Sequence, residues 1–171
     1  DEMGLGKTLQ VIAHLCCLDV QVQHLIIAPT SLIYNWQNEI LRFAPQLMPQ
    51  LTLVSYDMLR IHLENYINHH YDTIIIDEAQ IVKNRQTKKY QAISKLDCKH
   101  KIILTGTPIE NSIEELWSHF MILMPPLKSL YQRLHRLGVQ TQPETYISIT
   151  SKLLKPFILR REKQVVLSDL P

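Results

Sequence analysis

Hydrophobic and polar positions alternate along this chain so that short apolar runs are separated by amphipathic segments. Four runs are apolar at nearly every position, which is typical of parallel strands buried on both faces. These predicted strands are HLIIA (24–28), LTLVS (51–55), TIIID (73–77) and KIILT (101–105). The segments between them carry apolar residues at helical spacing, such as Leu32, Trp36 and Ile40. This alternation predicts an α/β fold, a doubly wound and mainly parallel sheet with right-handed crossovers.

The predicted helices divide the chain into two parts. Helices that connect the strands are predicted over residues 8–20, 31–44, 57–67 and 85–96. After residue 111 the pattern is only helical, and Pro125-Pro126 ends the first of three predicted helices. We therefore expect an α/β lobe over residues 1–111 and a helical extension, packed on this lobe, over residues 112–171.

The distribution of charge is more informative than its total. The formal net charge is only +2, so the overall charge does not indicate a nucleic-acid partner. Residues 83–101 nevertheless hold seven Lys or Arg against Asp97 alone. This basic stretch is interpreted either as a solvated helix face, which we favour, or as a DNA-binding stripe.

Composition also bears on the cellular setting. No stretch approaches the roughly 18 consecutive apolar residues of a transmembrane helix, so no membrane partner is expected. The three cysteines do not form a disulfide framework. A reduced intracellular setting is expected, either a nucleus or a bacterial cytoplasm near the nucleoid.

The segment DEMGLGKT (1–8) has the residues that a phosphate-binding loop needs. Two glycines allow the backbone to approach phosphate oxygens, and a helix follows whose N-terminus attracts anions. A lysine in this position reaches the β- and γ-phosphates, and a threonine hydroxyl binds Mg²⁺. The residues expected to bind the nucleotide are Asp1, Glu2, Met3, Gly4, Leu5, Gly6, Lys7 and Thr8. Because the usual pattern has glycine where Asp1 stands, a chance glycine-rich turn is the alternative.

An acidic pair, Asp77-Glu78, follows the third predicted strand. The carboxyl ends of parallel strands form the edge at which open α/β sheets bind ligands. Asp77 is expected to hold Mg²⁺ together with Thr8, and Glu78 to polarise the water that attacks the γ-phosphate. The predicted catalytic residues are thus Lys7, Asp77 and Glu78. A strand that simply ends in an acidic turn is the alternative, although a phosphate loop upstream argues against it.

Five strings occur in the order of helicase motifs I, Ia, Ib, II and III. They are DEMGLGKT, IIAPTSLIYNW, SYDMLR, IIIDEAQIVKN and LTGTPIENSIEELWS. With KPFILRREK near the C-terminus, they make the chain resemble the first RecA-like lobe of the Swi/Snf-type helicase-like ATPases of superfamily two. The acidic box reads DEAQ where many relatives read DEAH, and Gln80 keeps a hydrogen-bonding side chain there, which indicates a DEAQ subtype.

The resemblance implies ATP and Mg²⁺ as cofactors and double-stranded DNA, bound without sequence preference, as a partner. The residues implied to couple hydrolysis to movement are Gln80, Thr105, Gly106 and Thr107. Those implied to contact DNA phosphates are Thr30, Ser31, Ser55 and Tyr56. Capping of helix N-termini is an alternative role for Thr30, Ser31 and Ser55. Arg160 and Arg161 are interpreted either as a surface pair or as residues that face the phosphates or a second lobe.

The resemblance further implies that the intact protein is a DNA-stimulated ATP hydrolase that translocates along DNA and remodels protein–DNA complexes. Its second RecA-like lobe would supply arginines to the active site, and a DNA-bound protein complex would be a further partner. Because the chain begins inside the phosphate loop, we expect it to be a fragment with little activity alone. Two alternatives remain open: a nucleotide-gated scaffold with little hydrolysis, and a strand-separating helicase of the same superfamily.

Overall fold

A computed structural model describes residues 1–2, 4–19, 21–106, 113–140 and 143–161. Its centre is a four-stranded sheet in the order β2-β1-β3-β4, and every neighbouring pair is parallel. The strands are β1 (His24–Ala28), β2 (Leu51–Ser55), β3 (His70–Ile76) and β4 (Asp97–Ile103). The four predicted strands and the parallel α/β sheet are therefore confirmed.

Strands β3 and β4 begin earlier than their apolar runs predicted. The backbone pairing between them starts at His70 and Asp97. Both side chains are exposed, and His70 Nδ1 lies 2.6 Å from Asp97 Oδ2. Polar residues can extend a strand where its end faces solvent, because backbone pairing and not burial holds them. The apolar run therefore marks the buried centre of each strand and not its limits.

Eight α-helices occur in the described residues. They are α1 (Lys7–Cys16), α2 (Thr30–Phe43), α3 (Tyr56–Ile61), α4 (Glu64–Ile67), α5 (Lys88–Ser94), α6 (Ile113–Leu123), α7 (Leu127–Gln140) and α8 (Pro143–Leu154). Short 3₁₀ segments cover Pro45–Gln50, Ala79–Val82 and Lys155–Phe157. None of these helices has the length and apolar content needed to cross a membrane.

Three of the predicted connecting helices differ from the structure. The helix predicted over 8–20 already ends at Cys16. The helix predicted over 57–67 is broken into α3 and α4, and the break lets Leu63, Tyr66 and Ile67 pack against the core. The helix predicted over 85–96 begins only at Lys88, because Thr87 is its N-cap and accepts a hydrogen bond from the Tyr90 backbone at 3.2 Å. Periodicity alone did not locate these boundaries.

The sheet is covered on both faces, since successive residues of a strand point to opposite sides. Leu25 and Ile27 of β1 belong to a core cluster that also includes residues of α3 and α5. Ile26 and Ala28 belong to a second cluster, which includes residues of α1 and α2. The edge at which the strands end therefore lies between two layers of helices.

The later helices are attached to the α/β layer through α6. Ile122 of α6 is fully buried in the first core cluster, whereas Trp117 and Met121 pack with Tyr131 of α7 in a separate cluster. The α6 helix thus has one face toward the sheet layer and another toward α7.

Candidate functional site

The phosphate-loop segment turns sharply before α1. Gly4 and Gly6 have φ angles of 83° and 70°, in the left-handed region that disfavours side chains. A Cβ atom added to Gly6 would meet no protein atom within 4 Å, so its backbone conformation and not packing requires glycine. The first N–H groups of α1, which follows immediately, have no intrahelical partner. This loop offers open space at a helix N-terminus, which is where phosphates bind.

The Lys7 side chain folds back over the loop. Its Nζ donates to the carbonyl oxygens of Asp1 at 3.0 Å and of Glu2 at 3.1 Å. An ammonium group has three donors, and these contacts use two of them. Both acceptors are neutral, so the contacts orient the ammonium group without neutralising its charge.

Asp77 follows β3 and is the centre of the site. Its side chain is only 6% exposed, yet both carboxylate oxygens accept hydrogen bonds. Trp36 Nε1 donates to Oδ2 at 2.8 Å, and the Glu78 backbone N–H donates to Oδ1 at 2.9 Å. The Asp77 backbone is held as well, because its N–H donates to the Ile27 carbonyl at 2.8 Å and its carbonyl accepts from the Tyr56 hydroxyl at 2.6 Å.

The charge state of Asp77 reflects opposing influences. Burial raises the pKa of the Asp77 carboxyl, and the hydrogen bonds from Trp36 and from the Glu78 backbone act in the opposite direction. The positive charge of Lys7 also lowers the pKa of Asp77, while the charge of Glu78 raises it. Lys7 and Thr105 line one cavity, and the Thr105 hydroxyl donates to Gln80 of the acidic box. The fold therefore brings the phosphate loop and the acidic strand end to the same edge of the sheet.

Glu78 has an unusual backbone conformation. Its φ and ψ angles are both 51°, and it is the one non-glycine residue with positive φ in the described part of the chain. Such a conformation costs about 1–3 kcal/mol and is concentrated at functional sites. The Gln80 side chain donates to Glu78 Oε2 at 2.6 Å and accepts from the Thr105 hydroxyl at 3.1 Å. Gln80 therefore links the acidic pair to the segment that follows β4.

Of the four predicted coupling residues, Gln80 and Thr105 form this link, Gly106 follows directly, and the fourth lies outside the described residues. A backbone hydrogen bond joins the same two segments, since the Ala79 N–H donates to the Leu104 carbonyl at 3.0 Å. Gly106 is the last described residue of this segment. Thr107 lies outside the described residues, as does Met3 of the phosphate loop.

The four predicted DNA-contacting residues separate into two pairs. Thr30 and Ser31 are exposed in the first turn of α2, where Pro29 is the N-cap and no side chain caps the helix. Ser55 caps α3, since its hydroxyl accepts from the Met58 backbone at 3.2 Å. The alternative role of capping is thus confirmed for Ser55 and is wrong for Thr30 and Ser31.

Tyr56 requires a correction. Its side chain is only 2% exposed and its hydroxyl donates to Asp77, so this hydroxyl is not available to a DNA phosphate. Burial also raises the pKa of the Tyr56 hydroxyl well above its usual range. A contact through the Tyr56 backbone stays a prediction.

Much of the basic stretch over residues 83–101 is paired with acidic residues from other segments. The pairs are Lys83–Glu115 at 2.9 Å, Arg85–Glu114 at 3.5 Å, Lys89–Asp57 at 3.0 Å and Lys99–Asp72 at 3.8 Å. Four of the seven basic residues therefore have a nearby countercharge. This supports the solvated face and argues against a continuous DNA-binding stripe.

Arg161 lies against the phosphate loop. Its backbone N–H donates to Asp1 Oδ1 at 3.0 Å, and its guanidinium group forms an ion pair with the same carboxylate. The guanidinium group also donates to Gln10 Oε1 at 2.6 Å. Of the two interpretations made from sequence, the structure favours a position beside the phosphate loop for Arg161, whereas Arg160 is exposed.

Sequence reasoning missed two residues that contact the acidic box. The helical spacing of Trp36 with Leu32 and Ile40 indicates packing, and the one further signal is that a buried indole N–H needs an acceptor. His119 of α6 is 8% exposed, and its Nε2 lies 3.0 Å from the Ala79 carbonyl, to which it donates. Only its place on the apolar face of α6 signalled that His119 is buried.

Comparison with known proteins identifies similar chains. A family model described as the SNF2-related domain matches residues 1–54 and 49–171. YwqA of Bacillus subtilis (strain 168) is 36% identical over 96% of this chain and 21% of its own length. The TATA-binding protein-associated factor MOT1 of Saccharomyces cerevisiae is 33% identical over 100% of this chain and 12% of its own length. The chain therefore spans a minor part of the length of these curated relatives.

A solved structure supports the fold directly. The Sulfolobus solfataricus SWI2/SNF2 ATPase core in complex with dsDNA matches with a TM-score of 0.85 and 32% identity. The match covers 100% of this chain and 41% of that chain. The predicted RecA-like α/β fold is thereby confirmed.

Proposed function

The chain belongs to the SNF2-related domain family, and we propose that it is the ATP-binding lobe of a DNA-dependent ATPase that translocates along double-stranded DNA. The observation that carries this proposal is that Lys7 of the phosphate loop and Thr105 line one cavity. Thr105 is linked through Gln80 to the strained Glu78, which follows Asp77. A solved core with 32% identity is in complex with dsDNA, and this supports DNA as the partner. Remodelling of a protein–DNA complex is proposed because a similar protein, INO80 of Schizosaccharomyces pombe, is a chromatin-remodeling ATPase that is 28% identical over 99% of this chain.

The residues present suit a nucleoside triphosphate and Mg²⁺. The loop Asp1–Thr8 has left-handed glycines, open space over Gly6 and an oriented ammonium group. Mg²⁺ prefers oxygen ligands, and Thr8 and Asp77 are the residues that would hold it. Bound Mg²⁺ would neutralise charge that develops on the phosphate oxygens.

The side chains divide the remaining tasks. Lys7 would move from the loop carbonyls to the phosphate oxygens and stabilise their charge. Glu78 would orient and polarise the attacking water, and Gln80 holds the Glu78 carboxylate in place for this task. Thr105, Gly106 and Thr107 would couple the site to lobe movement, with Thr105 acting through Gln80. We also propose that the acidic box, which reads DEAQ, assigns the chain to a DEAQ subtype of the family.

The DNA-facing part of the proposal rests on the start of α2. The hydroxyls of Thr30 and Ser31 are exposed and do not cap the helix, so both can contact phosphates without reading sequence. Ser55 and Tyr56 would contribute through the backbone. We also propose that residues 1–111 form the lobe and 112–171 a helical extension, and that arginines from a second lobe complete the site in a nuclear or bacterial cytoplasmic enzyme.

The test is the ATPase rate of the intact protein with and without duplex DNA. We expect hydrolysis that DNA stimulates and that Lys7→Ala abolishes, because Lys7 contacts phosphate both before and during the reaction. The matched control is Lys99→Ala, since Lys99 is an exposed lysine of the basic stretch. Slow hydrolysis that DNA does not change would contradict the translocase and indicate the scaffold. Hydrolysis accompanied by strand separation would indicate the helicase.

A further inference from the structure

Asp77 is held from both faces of the sheet by side chains of two different helices. Trp36 of α2 belongs to the core cluster on one face, and Tyr56 of α3 belongs to the cluster on the other face. Trp36 donates to the Asp77 carboxylate at 2.8 Å, and Tyr56 donates to the Asp77 carbonyl at 2.6 Å. The acidic strand end is therefore fixed at its side chain and at its backbone.

The contact from Trp36 does more than satisfy a buried indole. The Trp36 ring is 1% exposed and is packed in the core, so its N–H direction is set by the whole cluster. A hydrogen bond to a carboxylate is charge-assisted and is about twice as strong as a neutral one. Because the Glu78 N–H binds Oδ1 at 2.9 Å while Trp36 binds Oδ2, rotation of the carboxylate would break one of these bonds.

These bonds leave acceptor capacity on Asp77. A carboxylate has about four lone-pair sites, and the two hydrogen bonds use two of them. The remaining sites have a fixed direction, as a metal ligand requires. Residues that orient a ligand from behind typically change metal affinity or activity by about 10- to 100-fold when they are removed.

We propose that Trp36 is a positioning residue that orients the Asp77 carboxylate toward Mg²⁺, and that Tyr56 supports it by holding the Asp77 backbone. This inference rests on the proposed ATP-binding function. Trp36 and Tyr56 are buried away from the nucleotide and act only through Asp77.

The experiment compares nucleotide binding to the intact protein in Mg²⁺ and in EDTA. Trp36→Phe keeps an aromatic ring in the core and removes the N–H. We expect the Mg²⁺ concentration at half-maximal ATP binding to rise about 10- to 100-fold. ATP affinity in EDTA should stay within about twofold of wild type, because the loop and Lys7 are unchanged. Tyr56→Phe should shift the Mg²⁺ midpoint in the same direction by a smaller factor.

Two matched controls separate positioning from packing. Trp117→Phe makes the same change in a fully buried tryptophan of α6, which packs with Met121 and Tyr131. Tyr90→Phe removes a buried hydroxyl that, like that of Tyr56, donates to a backbone carbonyl, here Ser118 at 3.3 Å. Both controls should keep the wild-type Mg²⁺ midpoint. Equal shifts in the controls, or equal losses in Mg²⁺ and in EDTA, would overturn the proposal.

A second measurement does not depend on the folding of Trp36→Phe. In the intact protein, the Trp36 indole N–H resonance can be assigned from its through-space contacts with residues of its core cluster, and that of Trp117 from its loss in Trp117→Phe. Adding Mg²⁺ to the nucleotide complex should move the Trp36 resonance and leave that of Trp117 in place. A Trp36 resonance that does not respond would overturn the inference while nucleotide binding persists. Failure of wild type to bind ATP at all would instead count against the proposed function.

Discussion

Two polar networks in this protein differ in whether their carboxylates keep acceptor sites that a ligand could use. At the sheet edge, Asp77 and Glu78 are held by Trp36, Gln80 and backbone groups, and their carboxylates keep acceptor sites for a ligand. Around α6 and α7, Glu114 is bound by the Tyr131 hydroxyl at 2.7 Å and lies 3.5 Å from Arg85. A site needs oriented groups with remaining capacity, whereas a structural contact needs only partners for its own groups.

In the second network, Arg85, Tyr131 and Glu114 all contact one another. The Arg85 guanidinium donates to the Tyr131 hydroxyl at 3.1 Å and lies 4.7 Å from the centre of the Tyr131 ring. It connects the loop after the acidic box to the helices beyond residue 112. Charged residues near a site therefore do not by themselves indicate catalysis, and matched substitutions in the two networks can distinguish them.

The largest expected difference is between Glu78→Gln and Glu114→Gln. Glu78→Gln should keep ATP binding in the intact protein while hydrolysis falls by roughly 10²-fold or more, because an amide cannot polarise the attacking water as a carboxylate does. Glu114→Gln should leave the turnover number near wild type. Single-turnover hydrolysis with a parallel nucleotide-binding assay checks both. Wild-type hydrolysis by Glu78→Gln would remove Glu78 from the mechanism.

A smaller loss of rate is expected from Gln80→Ala. The Glu78 carboxylate remains, but its hydrogen bond at 2.6 Å and the link to Thr105 are lost. We expect kcat to fall about tenfold, within the range that misplacement of a reacting group costs. ATP affinity should be unchanged, because Gln80 does not contact the loop. A change confined to KM would show that Gln80 acts on binding and not on the position of Glu78.

A change of a few-fold in the affinity for duplex DNA is expected from substitutions at the start of α2. Alanine at Thr30 and Ser31 together should lower duplex affinity without changing basal hydrolysis, because both hydroxyls are exposed at the start of α2. Binding should weaken steeply with salt, with a slope of about −0.9 for each phosphate neutralised. The matched control is alanine at Thr87, a hydroxyl that caps α5. Titrations at several salt concentrations measure this, and a strongly sequence-selective complex would contradict it.

The contact between Arg85 and Glu114 should affect stability only. Both side chains are partly exposed, at 37% and 42%, so the pair itself is worth at most about 1 kcal/mol. Arg85→Ala should lower the free energy of unfolding by about 1 kcal/mol, because stacking on Tyr131 is lost too. Urea unfolding measures it, with Lys99→Ala as the exposed control. A loss of ATPase activity without a loss of stability would move Arg85 into the catalytic network.

The smallest effect concerns pH and His119, which joins α6 to the acidic box. Burial lowers the pKa of His119 below its ordinary value of 6.5, although the bond to Ala79 and the charge of Glu115 oppose this. The unfolded chain therefore binds the proton first as the pH falls below 6.5, and the free energy of unfolding decreases in that window. The slope cannot exceed about 1.4 kcal/mol per pH unit for this group. His119→Gln, which can still donate to Ala79, should flatten the slope.

The sequence by itself was sufficient for the sheet and for the identity of the chemical groups. Apolar runs of β-branched residues mark buried parallel strands locally, and so the centres of all four strands were predicted. Glycine, lysine and threonine at fixed spacing, and an acidic pair at a strand end, indicate phosphate chemistry without knowledge of the fold. The parallel arrangement then requires that these strand ends share one edge.

Only the tertiary structure decided which side chains are hydrogen-bond or ion-pair partners. Trp36 is separated from Asp77 by 41 positions, and nothing in the helical pattern around it distinguishes a packing indole from one that orients a carboxylate. Tyr56 directly follows strand β2, where a DNA-contacting residue is expected, yet its hydroxyl donates to the buried Asp77 carbonyl. The basic stretch looked unpaired because its acidic partners lie on other segments. Periodicity records which face of an element is buried, whereas the partner of a buried polar group depends on how distant elements pack, which no local pattern encodes.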